Sequence, residues 1–399
     1  MDEFISSLAR PAHTKMVMLV IDGLGGAPSN GRPSEITAAN TPNLDALAAS
    51  GCSGVHTVVA PGVTPGSGAG HLALFGYNPI EYQLGRGAIC AAGIGFDMGP
   101  LDIAARVNFC TIDSEGSVLD RRAGRIPSET NQRLCKLIMD NVQLGPDIQV
   151  IMQTERDHRA LLVLRADGLS PMITDTDPQK VGLVSGRPLP RSPEAQMTAG
   201  ILEDLLGQIR DILAGETANY ILLRGFDTLR NLPRFPTIYR LRATGIAAYP
   251  MYVGIARILG MNAGPALDGW DRELEELKSA WDPFDFFFIH YKPADAAGED
   301  GDFDRKCAAI EEVDRSLPSI MDLNPDVICV TGDHATPAYL KGHSWHPVPF
   351  VIAGSAVGND EVAKFDERWG RQGGYGHVRA TDIMPLILAA GGRLAKFGA

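Results

Sequence analysis

The sequence predicts an α/β fold in which a doubly wound sheet domain is interrupted by a second, smaller α/β domain. Three observations carry that prediction. The first is a set of short apolar runs that end in carboxylates: "MVMLVIDG" (16–23), "DFFFIHYKPAD" (285–295) and "DVICVTGDHATP" (326–337). Each is rich in β-branched or aromatic residues, does not alternate, and stops at Asp, as strands covered on both faces of a parallel sheet do. The second is the helical texture between them. "TPNLDALAASG" (41–51) has Thr as N-cap, Pro at the first helical position and a Gly stop, and "KCAAIEEVDRSLPSIM" (306–321) is another such segment. Strands alternating with helices argue for double winding. The third is a change of texture in the middle of the chain. From about 90 to 240 the strands turn polar ("ARVNFCTIDSEGSVLD", "RALLVLRAD"), loops near 186–193 and 232–236 are Pro-rich, Arg is frequent, and no carboxylate-ended run occurs. The expected organisation is a sheet domain over 1–89 and 241–399, split by an inserted domain over 90–240. A fourth apolar run, "PVPFVIAG" (347–354), shares the texture of the first three.

Composition narrows the partners. With 45% apolar and 21% charged residues, the 399-residue chain reads as an ordinary soluble globular protein. A formal charge of −12 opposes nucleic acid and anionic membranes, so neither is expected as a partner. Any anionic substrate must then be met by a local cluster of Arg or Lys. The six cysteines (52, 90, 110, 135, 307 and 329) form no CxxC pair, which reads as reduced thiols in a cytosol. No basic leader precedes an apolar segment and no run approaches membrane-spanning length, so the expected location is the cytoplasm.

In open α/β sheets, ligands bind beyond the carboxyl ends of the strands. Asp22, Asp295 and the pair Asp333-His334 all stand there, and His343 follows nine residues later in "KGHSWHPVPF". A lone strand-end Asp is more often a helix cap or turn residue. Four such groups on separate apolar runs point instead to one or two divalent metals. A second stretch, "PGVTPGSGAGHLALFGY" (61–77), places Ser67 among small residues at the start of a helical pattern. There it is either a simple N-cap or, beside a metal, a nucleophile whose hydroxyl pKa is lowered.

Taken together, "VIDGLGG", "AANTPNLDALAASG", "PGSGAGHLALFGYNPIEYQLGRG", "NFCTID…DRRAGRI", "LLRGFDT", "HYKPADAAGEDGDFDRKCAAIEEVD", "VTGDHATP" and "HSWHPVP" resemble the archaeal-type, 2,3-bisphosphoglycerate-independent phosphoglycerate mutases of the alkaline phosphatase superfamily. The motifs run in family order over nearly the whole chain. The resemblance implies an alkaline-phosphatase-like sheet domain and two divalent ions, Mn²⁺ with Mg²⁺ or Zn²⁺ as alternatives, and no 2,3-bisphosphoglycerate cofactor. It assigns one ion to Asp22, Ser67, Asp333 and His334, and the other to Asp295, His343 and whatever stands at 299. It implies that Ser67 takes the phosphoryl group of a small phosphorylated carboxylic acid and returns it to the other hydroxyl. The basic patch that the net charge demands then falls on Arg121, Arg122 and Arg125 of "DRRAGR" and on Arg224 of "LLRGF", whose planar forks suit phosphate and carboxylate. His158-Arg159 in "RDHRALLV" resembles a further substrate-contacting element.

The chain also departs from the family pattern. Glu299 stands where the family has His, Gly68 where it has an acidic residue, Val253 where it has Lys and His346 where it has Asp, and the Glu usual near position 91 is missing. Positions 295 and 299 share a helical face, so Glu299 either ligates the second ion and favours a hard metal, or lies exposed beside a weak site. These departures leave three readings in view. One is a mutase interconverting 3- and 2-phosphoglycerate. Another is a diverged relative moving or hydrolysing a phosphoryl group on a related acid, such as a phosphonate or phosphinate analogue. The last is a catalytically silent homologue.

Overall fold

The computed structural model describes residues 2–398, which divide into two compact units. One comprises the chain up to Gln83 together with Leu232 onward, and the other is Leu84–Asn231. In chain order the strands are β1 (Met16–Ile21), β2 (Cys52–Thr57), β3 (Asp102–Ile112), β4 (Val118–Asp120), β5 (Gln149–Arg156), β6 (Arg159–Arg165), β7 (Tyr220–Thr228), β8 (Ala243–Ala247), β9 (Phe286–Tyr291), β10 (Val327–Thr331), β11 (Val348–Gly354) and β12 (Gly376–Arg379).

The first unit is built on a seven-stranded mixed sheet in the order β12-β2-β11-β10-β1-β9-β8. Its centre is the parallel trio β10-β1-β9, in which every residue is buried. Burial on both faces is why these runs do not alternate. Their carboxyl ends are level: Val20 lies opposite both Thr331 and His290, and Ile21 opposite Tyr291. The next residue, Asp22, donates its backbone N–H to Tyr291 O at 2.9 Å. Three strands therefore deliver their following residues to one edge.

The fourth apolar run differs from its expected role. β11 lies antiparallel to β10, with Val327 opposite Gly354, and antiparallel to β2. The chain leaves β10, passes through residues 332–347 and returns alongside it without a crossover helix. Burial on two faces looks the same in either direction, so texture does not report strand sense. The sheet is mixed for that reason.

The second unit holds a five-stranded antiparallel sheet, β4-β3-β6-β5 with β7 also on β3. One face buries Val107, Phe109, Leu162, Ile221 and Leu223 with Leu134, Ile138, Leu202 and Leu205 of the helices Ser128–Asn141 and Gln196–Ile212. The other face packs Ala104, Leu161 and Val163 under Ala88, Cys90 and Ala91 of the helix Arg86–Ile94. Period-two alternation along β3 puts Arg106 and Asn108 on this second face with Ala104.

The units divide at 83/84 and 231/232, a few residues before the expected 89/90 and 240/241. The helix Arg86–Ile94 belongs to the second core through Ala88, Cys90 and Ala91. Phe235, in the short helix Phe235–Tyr239, belongs to the first: its ring lies 5.7 Å from Phe75 and 5.0 Å from Phe286. Pro236 stands in the first turn of that helix. All six cysteines are free, and among the described residues no helix is long and apolar enough to cross a membrane.

Candidate active site

At the level edge of the first sheet, two groups of side chains bring their ligand atoms within 4.8 Å of one another: Asp22, Asp333 and His334, and Asp295, His334 and His343. Asp22 follows β1, Asp333 and His334 follow β10, and Asp295 sits in the first turn of the helix Pro293–Asp300 after β9. Ser67 opens the helix Ser67–Leu74, and its Oγ lies 3.2 Å from His334 Nε2. His71, one turn later, donates from Nδ1 to Ser67 O at 2.8 Å and so pins that first turn.

The residues fit a divalent cation. His334 Nε2 lies 3.2 Å from Asp333 Oδ2 and 3.4 Å from Asp22 Oδ1, and both carboxylate oxygens are buried without a hydrogen-bond partner. Acceptors that converge unpaired in a protein interior demand a counter-charge. Burial, reinforced by Asp22 and Asp295, pushes the Asp333 carboxyl well above its usual range. Burial and the neighbouring His343 push His334 down to about 3, so its imidazole is neutral, as a ligand must be. Ring tautomers follow from the other nitrogens. His343 Nδ1 donates to Pro65 O at 3.0 Å, which leaves Nε2 as the lone-pair atom, 3.6 Å from Asp295 Oδ1. The two imidazole rings stack at 3.7 Å.

Glu299 stands outside both groups. It shares a helical face with Asp295, as its spacing predicts, but its side chain is 51% exposed. Its Oε1 lies 3.7 Å from His343 Nε2, a separation that one ion could bridge. Although burial opposes it, the Glu299 and Asp295 carboxylates hold the His343 pKa above its ordinary value.

Three donors of the centre were not foreseen. Asp22 Oδ2, the oxygen turned away from His334, accepts from Tyr252 OH, from His290 Nε2 at 3.1 Å and from Lys292 Nζ at 3.0 Å. Lys292 also donates to Asp295 Oδ2 at 2.5 Å, so one ammonium ties the two carboxylates together. Burial would raise the Asp22 carboxyl, yet Lys292 and His290 hold it well below the usual range. Of the departures from the family pattern, Val253 is fully buried next to Tyr252 on the helix Pro250–Ile258, Gly68 follows Ser67 in its helix, and His346 bonds Ser344 and stacks on Trp345.

In the second unit the basic residues gather around His158. It is buried, and burial together with Arg159, Arg122, Arg106 and Arg125 pushes its pKa down to about 3. Arg106 pairs in register with Arg224 on β7, and Asn108 with Arg159 on β6, so all four project from one sheet face. Burial and Arg106 lower the pKa of Arg159, to about 10, and that of Arg224. Arg106 Nε and Asn108 Oδ1 are buried without partners. Arg122 and Arg125 stand exposed on a turn whose amides donate to Asp120. Asp177 holds Arg121 in a bidentate pair at 3.0 and 2.6 Å, with Arg224 3.7 Å from the same carboxylate. Sequence alone does not single out Arg106, because β3 also carries Asp102, Asn108 and Thr111 and an Arg there reads as part of a polar strand.

Comparison with known proteins identifies the family. Residues 48–219 match the family model described as 2,3-bisphosphoglycerate-independent phosphoglycerate mutase. A Thermus thermophilus protein named "Probable 2,3-bisphosphoglycerate-independent phosphoglycerate mutase" is 44% identical over 99% of this chain and 98% of its own. A Thermotoga maritima protein of the same name is 43% identical over 100% and 99%. Among solved structures, a Pyrococcus horikoshii protein superposes with a TM-score of 0.82 at 28% identity, covering 98% of this chain and 100% of that one. The cofactor-independent phosphoglycerate mutase of Thermoplasma acidophilum does so at 0.64 and 28%, covering 94% and 100%. Identity at this level along the full length leaves one assignment: the chain belongs to the 2,3-bisphosphoglycerate-independent phosphoglycerate mutase family.

Proposed function

We propose that the protein interconverts 3-phosphoglycerate and 2-phosphoglycerate through a phosphoserine at Ser67, and that its metals are held by Asp22, Asp333 and His334 and by Asp295, His343 and Glu299. The observation that carries the reading is the position of Ser67 Oγ, 3.2 Å from His334 Nε2 and at the first residue of a helix. The opening N–H groups of that helix have no intrahelical acceptor and favour a phosphoryl oxygen. When bound, divalent cations would favour the ionised serine and neutralise phosphoryl charge; the all-oxygen and imidazole donor set suits Mn²⁺ or Mg²⁺. Ser67 gives up its proton and forms the Oγ–P bond as the bond from phosphorus to the substrate oxygen breaks. The released glycerate oxygen takes a proton. The second glycerate hydroxyl then attacks the phosphoserine, loses its proton and leaves Ser67 free. His71 keeps the Ser67 turn in place throughout. On the second unit, Arg106, Arg121, Arg122, Arg125, Arg159 and Arg224 offer guanidinium forks of the kind that suits a phosphate or a carboxylate, Arg121 and Arg224 sharing Asp177. His158, neutral among them, offers a hydrogen bond without added charge.

A ³¹P NMR time course on chelator-stripped protein with 3-phosphoglycerate tests this. Appearance of 2-phosphoglycerate only after Mn²⁺ is added is the expected result. Free phosphate alone would replace the mutase by a phosphatase, and an unchanged spectrum would move the reading to another phosphorylated or phosphonate acid.

A further inference from the structure

Thr336 is fully buried beside Asp295 and His334, the residue shared by the two candidate metal groups. Its hydroxyl donates to Asp295 Oδ1 at 2.7 Å, and the same oxygen is 3.0 Å from His334 Nδ1. A carboxylate can only accept, so the hydroxyl proton points to Asp295. The lone pair that remains faces the imidazole, which must therefore be the Nδ1–H tautomer. That leaves His334 Nε2 as the lone-pair atom on the side of Asp22, Asp333 and Ser67. One hydroxyl thus fixes the orientation of Asp295 and the tautomer of His334, a residue that belongs to both groups.

The hydroxyl is itself held in place. Thr336 N donates to Gly25 O at 2.9 Å, and Thr336 O accepts from the buried Lys306 Nζ at 2.8 Å. Lys306 also donates to Gly25 O at 3.0 Å, tying together the loops that follow β1 and β10. Gly23, at φ +65°, makes the room: a Cβ there would stand 2.7 Å from Thr336 Oγ1 and 2.8 Å from Asp295 Oδ1.

We infer that Thr336 is a positioning residue that couples the two metal groups by setting the His334 tautomer and the Asp295 rotamer. The inference rests on the metal reading above. It concerns a residue that would touch neither metal nor substrate. Outer hydrogen bonds of this kind are worth about 10–100-fold in metal affinity.

The experiment is a calorimetric Mn²⁺ titration of the chelator-stripped full-length chain, as wild type, Thr336→Val and Thr336→Ser, with thermal melts of each. Thr336→Val keeps the shape but removes the hydroxyl, and its Mn²⁺ affinity is expected to fall roughly 10–100-fold. Thr336→Ser restores the hydroxyl and is expected to stay within about threefold of wild type. Wild-type affinity in a folded Thr336→Val chain would overturn the inference, as would an equal loss in Thr336→Ser. Should Thr336→Val not fold, ring ¹⁵N shifts of the metal-free wild-type protein decide: an Nε2–H tautomer at His334 overturns the inference. A wild-type chain that binds no Mn²⁺ but shows the Nδ1–H tautomer would sink the metal reading while leaving the hydroxyl's role in the tautomer intact.

Discussion

The two units present opposite charges to their ligands and handle them differently. In the first, three buried carboxylates are surrounded by donors: Tyr252, His290 and Lys292 hold Asp22, Thr336 and Lys292 hold Asp295, and the Gly23 N–H holds Asp333. Only the atoms that face His334 stay unpaired. In the second, guanidinium groups crowd round a neutral His158, and burial and mutual repulsion lower the pKa values of Arg159 and Arg224. The first arrangement leaves its unpaired oxygens facing one imidazole, as a site for ions of fixed geometry would. The second stores like-charge repulsion that a polyanion would relieve. A rigid site suits metals that demand fixed ligand distances, and a strained cationic face suits a substrate that comes and goes.

The comparison breaks most completely at Ser67. Ser67→Ala is expected to lower turnover by roughly 10⁴-fold or more, since a nucleophile has no substitute. Mn²⁺ stoichiometry should persist, because Asp22, Asp333 and His334 remain. Steady-state kinetics and calorimetry on the same preparation check both halves. Residual turnover above about a hundredth of wild type would remove the serine from the chemistry, and the first unit would then be a metal site without a nucleophile.

Arg106→Leu addresses the other side. Loss of one fork from the cationic face is expected to raise KM about 10–100-fold, the usual worth of a charge-assisted hydrogen bond, with kcat much less affected. Mn²⁺ binding should not move. The same change takes a buried charge away from Arg159 and Arg224, so the substrate-free chain should melt about 2 °C higher, on the order of 1 kcal/mol. A lower melting temperature would mean that Arg106 is satisfied within the protein, and the contrast between a prepared and a strained site would fail.

How much of this was legible follows from what a pattern can encode. Asp22, Asp295 and Asp333 could be found because a fully buried run that stops at a carboxylate is costly without a purpose. Strand sense could not be read from "PVPFVIAG", since side chains buried on both faces look alike in parallel and antiparallel ladders. Lys292 reads in sequence as a solvated residue after a strand, and Thr336 as a turn residue in "DHATP". Their roles depend on partners from other strands, Asp22 for one and Asp295 for the other. The pairing of Arg121 is hidden for the same reason, because the carboxylate it meets comes from Asp177, far along the chain. Local spacing identifies which groups are unusual. Only the fold shows which of them are already paired.

Glu299→His is expected to have the smallest effect, and it sharpens the comparison instead of breaking it. Glu299 lies half in solvent, so water screens its charge, and it touches the prepared site only through His343. With Asp295 it keeps the His343 pKa above normal, so a proton competes with any metal at Nε2. An imidazole at 299 removes one negative charge and offers a softer donor. Binding at the Asp295–His343 group should then shift toward Zn²⁺ relative to Mn²⁺ by about tenfold, and the pH at which that group loses metal should fall. Competition titrations with the two ions between pH 5.5 and 8, run as wild type and variant, read out both effects. A shift in ion preference would place residue 299 within reach of the metal. If the preference stays put while only the pH midpoint moves, Glu299 acts through His343 alone, and the second group binds its ion through Asp295, His334 and His343.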